Sequence, residues 1–213
     1  MPRAYAQIAF TPTVQAVQAE QGSAASYQRF LSDEMSGGDV FGPDEIAFIE
    51  ARDGFYQASV SETGWPYVQY RGGPVGFVHV IDERTLAYAD FRGNRQYVSA
   101  GNLRGNDRIA LFFMDYPNRR RLKVYAHATL IGAQQDRDLI ARLHDGSYRA
   151  KPERAYVLTL AALDWNCPQH IVPRFTAAEL APQLERVQRE LARLQAENER
   201  LYGELGRLQA GQA

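Results

Sequence analysis

Seven short runs rich in β-branched and aromatic residues constrain the fold of this 213-residue chain more than any other feature. Turn residues end each run, as in the connection Gly64-Trp65-Pro66. Short strands at this spacing favour an antiparallel barrel or sandwich over a doubly wound parallel sheet, so we predict a mainly β protein of the α+β class. The predicted strands are 55–61, 67–70, 77–81, 85–89, 108–114, 122–131 and 156–163, and the predicted inserted helices are 95–103 and 136–144.

Helical segments flank the predicted barrel on both sides. Residues 14–20 and 26–35 are helix-compatible, and Ser36-Gly37-Gly38-Asp39 breaks the second stretch. Pro43-Asp44-Glu45 places a proline and two acids at the favoured N-terminal end of a third short helix. We therefore predict a helical segment over 1–42, a barrel domain over 43–175 and a coiled-coil helix over 176–213.

The coiled-coil prediction rests on apolar residues that recur with alternating spacings of four and three between 178 and 210. A single Asn at an a position favours a parallel two-stranded register, because two buried amides satisfy each other in that arrangement. The alternative is an amphipathic helix that folds back onto its own barrel, and Gly203 and Gly206 weaken the last turns. The a positions are Leu184, Leu191, Asn198 and Leu205, and the d positions are Leu180, Val187, Leu194, Leu201 and Leu208.

Charge and cysteine content exclude several classes of function. The chain has 24 Lys and Arg against 25 Asp and Glu, a net charge of -1, so we expect neither nucleic-acid nor anionic-membrane binding. The N-terminus lacks the apolar stretch of a signal peptide, and the longest apolar run, 109–114, is too short to cross a bilayer. Cys167 is the single cysteine, which excludes an intramolecular disulfide and indicates a cytoplasmic protein.

A strand-to-helix turn is the strongest candidate for ligand binding. The segment 88–103 ends a strand in a glycine-containing turn with Arg92 and Arg95 and then begins a helix. Backbone N–H groups, the helix dipole and guanidinium groups can converge there on one phosphate. Taken alone, such arginines are more often a solvated surface than ligand contacts.

Three further segments carry polar side chains suited to a flat ligand. The strand with Gln69 and Arg71 ends in a glycine-rich loop that allows close backbone approach, although it is also consistent with a simple long turn. Strand alternation points Arg121 and Lys123 to one face, which is usually solvated. The segment 164–171 concentrates polar side chains and is predicted to be irregular.

Common catalytic motifs are missing from the sequence. The four histidines, His79, His127, His144 and His170, lack the spacing of a helical metal site. A G-x-S-x-G elbow, a Walker loop and a Rossmann fingerprint are also absent. These absences argue against a zinc enzyme, a serine hydrolase of that type and an ATPase.

Together, these segments resemble the pyridoxamine 5'-phosphate oxidase-like FMN-binding split barrels, especially their branch of predicted flavin-nucleotide-binding proteins. The resemblance covers roughly 45–175. The motifs that carry it are Gly64-Trp65-Pro66, Arg71-Gly72-Gly73-Pro74, Asp90-Phe91-Arg92-Gly93-Asn94-Arg95, Gly101-Asn102-Leu103 and Asn166-Cys167-Pro168-Gln169-His170.

The resemblance implies a homodimer that holds FMN at the subunit interface. It places Asn94 and Arg95 at the phosphate, and the strand 67–71 along the flavin. It further implies that Gln169 and His170 come from the partner subunit. The cofactor-binding residues expected in this way are Tyr67, Gln69, Tyr70, Arg71, Asp90, Phe91, Arg92, Asn94, Arg95, Arg121, Lys123, Gln169 and His170.

Two departures from the family pattern limit the function that the resemblance implies. A coiled coil replaces the Arg-containing C-terminal segment that holds substrate in true pyridoxamine phosphate oxidases, so we do not expect vitamin B6 oxidation. Asn94-Arg95 stands in place of the usual basic pair, so Arg92 or Arg121 is expected to supply the second charge.

Two functions remain compatible with the sequence. The first is an FMN-dependent oxidoreductase that acts on an unknown small molecule, with NAD(P)H as a candidate electron donor. The second is a flavin- or haem-binding sensor or carrier without turnover, whose coiled coil recruits another protein. No residue is compelling as a general acid.

Overall fold

The computed structural model describes residues 3–165 and 168–210, which form two compact units, Met1–Ile171 and Val172–Ala213. The first unit is built on one antiparallel sheet. Its strands are β1 (Gly54–Val60), β2 (Pro66–Gly72), β3 (Val78–Asp82), β4 (Thr85–Phe91), β5 (Arg108–Asp115), β6 (Arg120–Gly132) and β7 (Pro152–Trp165). Their order in the sheet is β2-β1-β5-β6-β7-β4-β3.

The sheet curls until its two ends meet across the core. Arg71 on β2 forms an ion pair with Asp90 on β4. The hydroxyl of Tyr88 on β4 donates a hydrogen bond to Gln57 on β1. This closure of an antiparallel sheet confirms the predicted α+β split barrel.

Alternation along the strands separates a buried inner face from an outer face. On β5, Ile109, Leu111 and Phe113 are buried, whereas the side chains between them are half-buried. The Phe55 ring packs in the core with its centroid 4.9 Å from that of Phe113 and 5.2 Å from that of Tyr88. Each large apolar side chain buried in this way contributes about 1.5–3 kcal/mol.

Helices cover the open parts of the barrel. The predicted helix over 26–35 is shorter than expected and ends in a 3-10 turn at Arg29–Leu31. The six-residue first helix shows no period in the sequence and was not predicted. Asp164 and Trp165, predicted to be irregular, end β7 and pair with Lys123 and Leu122, while Asn166 and Cys167 lie outside the described residues. The helices are α1 (Ala4–Ala9), α2 (Pro12–Glu20), α3 (Ala24–Gln28), α4 (Pro43–Glu50), α5 (Val98–Gly105) and α6 (Arg137–Arg142).

The second unit contains one long helix, α7 (Ala177–Ala210). Thr176 and Glu179 form a reciprocal capping box, in which the Thr176 N–H donates to Glu179 at 2.7 Å and the Glu179 N–H donates to Thr176 at 3.2 Å. This cap fixes the first residue of the helix. No helix in the described part of the chain is both long and apolar enough to cross a membrane. The three-segment division at 42 and 175 stays a prediction.

Candidate functional site

A cleft of about 210 Å³ lies where β2, the β4–α5 connection and β7 meet. The alternation of β2 turns Tyr67, Gln69 and Arg71 toward the cleft, while the side chains between them are exposed. The other lining residues are Asp90, Phe91, Gly93, Asn94, Arg95, Gln96, Tyr97, Val98, Ser99, Ala100, Glu153 and Tyr156.

Irregular backbone shapes the β4–α5 wall of the cleft. The register between β4 and β7 shifts between Asp90 and Phe91. Register shifts of this kind occur at β-bulges, which are common next to binding sites. Arg95 and Tyr97 have φ values of 65° and 54°, in the left-handed region that few non-glycine residues occupy. The Asn94 side chain accepts a hydrogen bond from the Gln96 N–H at 3.1 Å, which stabilises this turn. The first turn of α5 therefore opens onto the cleft.

Arg71 is held in place by groups from two other strands. Its guanidinium forms the ion pair with Asp90 and donates to the Tyr156 hydroxyl at 3.2 Å. Burial opposes its charge, but neighbouring Tyr88, Asp90 and Tyr156 outweigh burial, so the pKa of Arg71 is raised. Its Nε is buried and has no hydrogen-bond partner among the described residues. An acceptor brought by a ligand would satisfy that donor.

Glu153 on β7 organises a second group of charges. Its carboxylate accepts from Arg92 at 2.8 Å, from the Tyr97 hydroxyl at 3.0 Å and from Arg154 at 3.2 Å. The hydrogen bond from Arg92 is the main cause of the lowered pKa of Glu153. Arg154 also reaches Asp90 at 3.3 Å and thereby joins the two groups.

The two groups leave an excess of positive charge at the cleft. Within the lining, Arg71 and Arg95 balance Asp90 and Glu153. The arginines at 92 and 154, which pair with these carboxylates from beside the cleft, bring the balance of the whole group to +2. The pKa of Arg95 is raised mainly by its hydrogen bond with Tyr97. Guanidinium groups bind phosphate in bidentate geometry, so this balance suits a phosphate group.

A buried polar layer lies beneath the cleft. Tyr88 stacks on Tyr156 with ring centroids 5.0 Å apart, and burial raises the pKa of both phenols. Above it, Ser99 in the first turn of α5 donates to Gln69 at 3.0 Å. These contacts fix the floor of the cleft before any ligand binds.

The structure brings together seven of the residues predicted from the sequence. Arg92 lies beside them through its bond to Glu153. Gln169 and His170 lie in an exposed turn outside the cleft of their own chain. The seven that line the cleft are Tyr67, Gln69, Arg71, Asp90, Phe91, Asn94 and Arg95.

Three predicted residues lie on the outer face of the sheet instead. Tyr70 packs edge-on against Tyr56 at 5.6 Å. Lys123 donates to the Tyr5 hydroxyl at 3.0 Å and pairs with Asp164 at 3.1 Å. Arg121 lies over the Phe112 ring at 5.6 Å. The cleft of a single chain thus excludes these three side chains.

Sequence reasoning missed the contribution of β7 to the site. Glu153, Arg154 and Tyr156 come from a strand predicted to begin at 156. Charged residues at its start hid the strand, because the pattern showed no apolar alternation there. No cluster of three or more metal-ligating side chains occurs among residues 3–165 and 168–210.

The fold and the cleft define a split-barrel protein with an arginine-rich ligand cleft at a strand-to-helix turn. A family model described as pyridoxamine 5'-phosphate oxidase matches residues 44–165, more than half of the chain. The chain therefore belongs to the pyridoxamine 5'-phosphate oxidase family, and the resemblance inferred from the sequence motifs is confirmed.

Solved structures similar to this chain share little sequence with it. HupZ from Group A Streptococcus is 14% identical with a TM-score of 0.47, and the match covers 63% of this chain and 100% of HupZ. General Stress Protein 26 from Bacillus anthracis is 12% identical with a TM-score of 0.43, covering 61% and 92%. An FMN-binding protein from Syntrophomonas wolfei is 10% identical with a TM-score of 0.44, covering 70% and 97%. No curated protein matches the chain.

Proposed function

We propose that the protein binds FMN in this cleft and acts as an FMN-dependent oxidoreductase on a small-molecule substrate, with NAD(P)H as a candidate electron donor. The observation that carries the proposal is the +2 charge balance around a buried, unpartnered Arg71 Nε. A phosphate dianion would compensate that balance, and a polar atom elsewhere on the same ligand would supply the acceptor that Arg71 Nε lacks. Membership of the family supports the same cofactor.

The parts of the cleft suit the parts of FMN. Asn94, Arg95 and the first turn of α5 would hold the phosphate, with Arg92 as the second cation. Gly93 leaves open space where a side chain would otherwise stand. Tyr67 and Gln69 on β2 would lie along the ring, which needs both an apolar surface and polar edges.

The cleft of one chain is too small to enclose a whole cofactor. Its volume of about 210 Å³ is below the range of roughly 300–1,000 Å³ that is typical of ligand pockets. A second subunit would complete it. We therefore propose that the cofactor lies at the interface of a homodimer.

The outer face of β2, β1, β5 and β6, beside the part of β6 that Tyr5 of α1 already covers at Tyr125, is the surface we propose for this homodimer. Its apolar side chains are unusually exposed, with Val68 at 61% and Tyr70 at 58%. Tyr70, Arg121 and Lys123, absent from the chain's own cleft, all lie on this outer face. We propose that they contact the cofactor there, and that Gln169 and His170 reach it from the partner subunit.

FMN supplies hydride or electron transfer when it is bound. The protein's residues hold and orient it. The described cleft lining includes no His or Cys, the side chains that ordinarily exchange protons near neutral pH. This composition favours chemistry at the cofactor over acid–base catalysis by the protein. We also propose a cytoplasmic setting, because Cys167 is the only cysteine.

A second candidate function is a flavin- or haem-binding sensor or carrier without turnover. The observation that favours it is the long α7 with its row of exposed leucines, which would recruit another protein. The described cleft lining offers tyrosines but no His, Cys or Met to a haem iron, whereas its arginines suit a phosphate, so flavin remains the preferred ligand.

The first experiment is an absorption spectrum of the purified protein before and after anaerobic addition of NADH or NADPH. Chromatography of the released chromophore identifies it. Released FMN, together with bleaching on addition, would support the oxidoreductase. FMN that stays oxidised would favour the sensor or carrier, or a different donor. A colourless protein that takes up no added FMN would overturn the proposal.

A further inference from the structure

We infer that α7 pairs with α7 of a second copy of this chain, in parallel and in register. From Leu184 to Leu208, the apolar a and d side chains of the seam are exposed, by 44% at Leu194 and up to 66% at Leu208. A continuous seam of this length needs a cover, because apolar surface in water is unfavourable. The inference is independent of flavin binding.

The residues beside the seam determine the orientation of the pair. The g positions carry Glu190, Glu197 and Glu204, which form a single row of acids. The e positions on the other side of the seam carry no charge. They are Gln188, Gln195, Tyr202 and Gln209.

This asymmetry favours the parallel pair. In a parallel pair, each g residue faces an e residue of the next heptad, so the glutamates meet Gln or Tyr. In an antiparallel pair, g faces g, so the acidic row of one helix would meet the acidic row of the other. Repulsion therefore disfavours the antiparallel arrangement, whereas the parallel one carries no such penalty.

Asn198 adds an independent argument for register. It occupies an a position, so in a parallel, in-register pair its amide faces the same amide of the second copy. In an antiparallel pair, a faces d, and the amide would meet Leu or Val without a hydrogen-bond partner. Two identical chains satisfy this residue in one arrangement, whereas an unrelated apolar partner would leave it unsatisfied.

Ion pairs within the helix support self-association. Arg193 pairs with Glu190 at 2.9 Å and with Glu197 at 3.1 Å, and Arg200 pairs with Glu204 at 2.6 Å. These arginines occupy c positions, away from the seam. The arginines neutralise part of the negative charge of the g-position glutamates on the same helix. A parallel pair of helices can therefore carry one such row of glutamates on each of its two sides.

Disulfide trapping in the full-length protein tests the inference. Leu184→Cys and Leu208→Cys are made separately in a Cys167→Ser background. The two variants carry affinity tags of different size, so a mixed dimer can be told from either self-dimer. They are then mixed, denatured and refolded in a glutathione redox buffer. In a parallel, in-register pair, position 184 of one helix lies opposite position 184 of the other. In an antiparallel pair whose two heptad seams overlap fully, position 184 lies opposite position 208. Ala196→Cys, at an f position away from the seam, measures random collision.

The expected result is that each variant forms a covalent dimer with itself, with no mixed species above the Ala196→Cys background. Mixed 184–208 dimers would overturn the parallel arrangement. If no variant exceeds the background, the helix does not pair with itself, and the fold-back or partner-binding alternative replaces the inference. Failure here leaves flavin binding untouched, because the spectrum reports flavin independently.

Discussion

At the residue scale, Arg71 is the cation whose position depends least on a ligand, because Asp90 and Tyr156 already hold it. Arg71→Gln removes one charge and the orphaned Nε donor. A charge-assisted hydrogen bond contributes about 1.5–3 kcal/mol, so we expect the Kd for FMN to rise about 10- to 100-fold. Fluorescence titration of the flavin-free protein measures it.

Arg104→Gln is the control for this prediction, since Arg104 is exposed on α5 and absent from the cleft lining. It removes the same charge from the molecule but leaves the cleft intact. Equal loss of affinity in both variants would show that the general field of the protein, rather than Arg71, binds the cofactor.

The buried tyrosines predict a loss of stability in alkali. Burial raises the pKa of Tyr88 well above its ordinary value and also raises the pKa of Tyr156. Below about pH 10, both phenols keep their protons in the folded and unfolded states. Above it, only the unfolded chain loses them, so the free energy of unfolding falls as pH rises toward the raised values. Urea unfolding at about pH 8, 9, 10 and 11 follows this fall.

Tyr88→Phe should reduce the alkaline slope, whereas Tyr202→Phe, at an exposed position on α7, should leave it unchanged. Tyr156 and other tyrosines with raised pKa values keep part of the slope in either variant. A slope that Tyr88→Phe does not alter would contradict the assignment.

Site residues that stand in a recognisable local motif could be predicted from the sequence. Arg71 and Arg95 stand beside glycines at strand ends, where ligand contacts are expected, and both line the cleft. Glu153 and Tyr156 could not be found this way, because they reach the cleft through strand pairing across more than 60 residues. Long-range pairing of this kind leaves no local pattern.

At the element scale, the segment before α4 docks on β7 through Gly38. The Leu163 N–H donates to the Gly38 carbonyl at 2.7 Å, and a Cβ on Gly38 would lie 2.8 Å from the Leu163 oxygen at a φ of 80°. We expect Gly38→Ala to destabilise the fold by about 1–3 kcal/mol, measured by urea unfolding.

Gly37→Ala is the matched control for this prediction. Gly37 has a φ of 99°, but a Cβ there would meet nothing within 4 Å. It therefore carries the backbone strain without the clash. If Gly37→Ala cost as much as Gly38→Ala, backbone strain would account for the whole loss, and the close approach to the Leu163 oxygen for none of it.

The e positions of α7 predict a second effect at this scale. Gln195→Lys with Tyr202→Lys would place cations opposite Glu190 and Glu197 of the second copy in a parallel pair, but opposite each other in an antiparallel one. We expect the self-pairing of the helices to strengthen, seen as a larger covalent dimer fraction for Leu208→Cys in a weakly oxidising buffer.

The control places the same two charges away from the seam, as Ala192→Lys with Ala196→Lys at a b and an f position. It should leave the dimer fraction unchanged. A reduced fraction in the double Lys variant would indicate that like charges meet, as the antiparallel arrangement requires.

Elements with a strong period were the most predictable from the sequence. Each of the seven predicted strand segments overlaps one observed strand, and the heptads from 178 onward predicted α7. The six-residue α1 was missed, because it is too short to show a period. Its docking depends instead on Tyr5, which stacks on Tyr125 at 5.3 Å and accepts a hydrogen bond from Lys123.

At the scale of the whole molecule, cofactor binding and dimer formation are coupled in our proposal. The single-chain cleft holds about 210 Å³, and three predicted contact residues lie on the opposite, outer face. A change confined to that outer face should therefore alter both oligomeric state and flavin affinity. If cofactor binding and dimer formation were independent, such a change would alter either the oligomeric state or the flavin affinity, but not both.

Val68→Asp tests this coupling. Val68 is 61% exposed on β2, and its neighbours Gln69 and Tyr67 face the cleft, so the substitution leaves the cleft's own side chains in place. An unpaired carboxylate buried between two subunits costs several kcal/mol, so we expect dissociation of the barrel interface and at least a tenfold rise in the Kd for FMN. Light scattering gives the mass and fluorescence titration gives the affinity.

Paired α7 helices would hold the subunits together even if the barrel interface were broken. The measurement is therefore repeated on the double variant Val68→Asp with Leu194→Asp, whose second substitution places a charge in the helix seam. Val75→Asp is the control, since Val75 is 71% exposed in the loop after β2, away from the outer face. A double variant that is monomeric yet binds FMN as tightly as the unchanged protein would show that one chain suffices for the site, and the shared-site dimer would then be wrong.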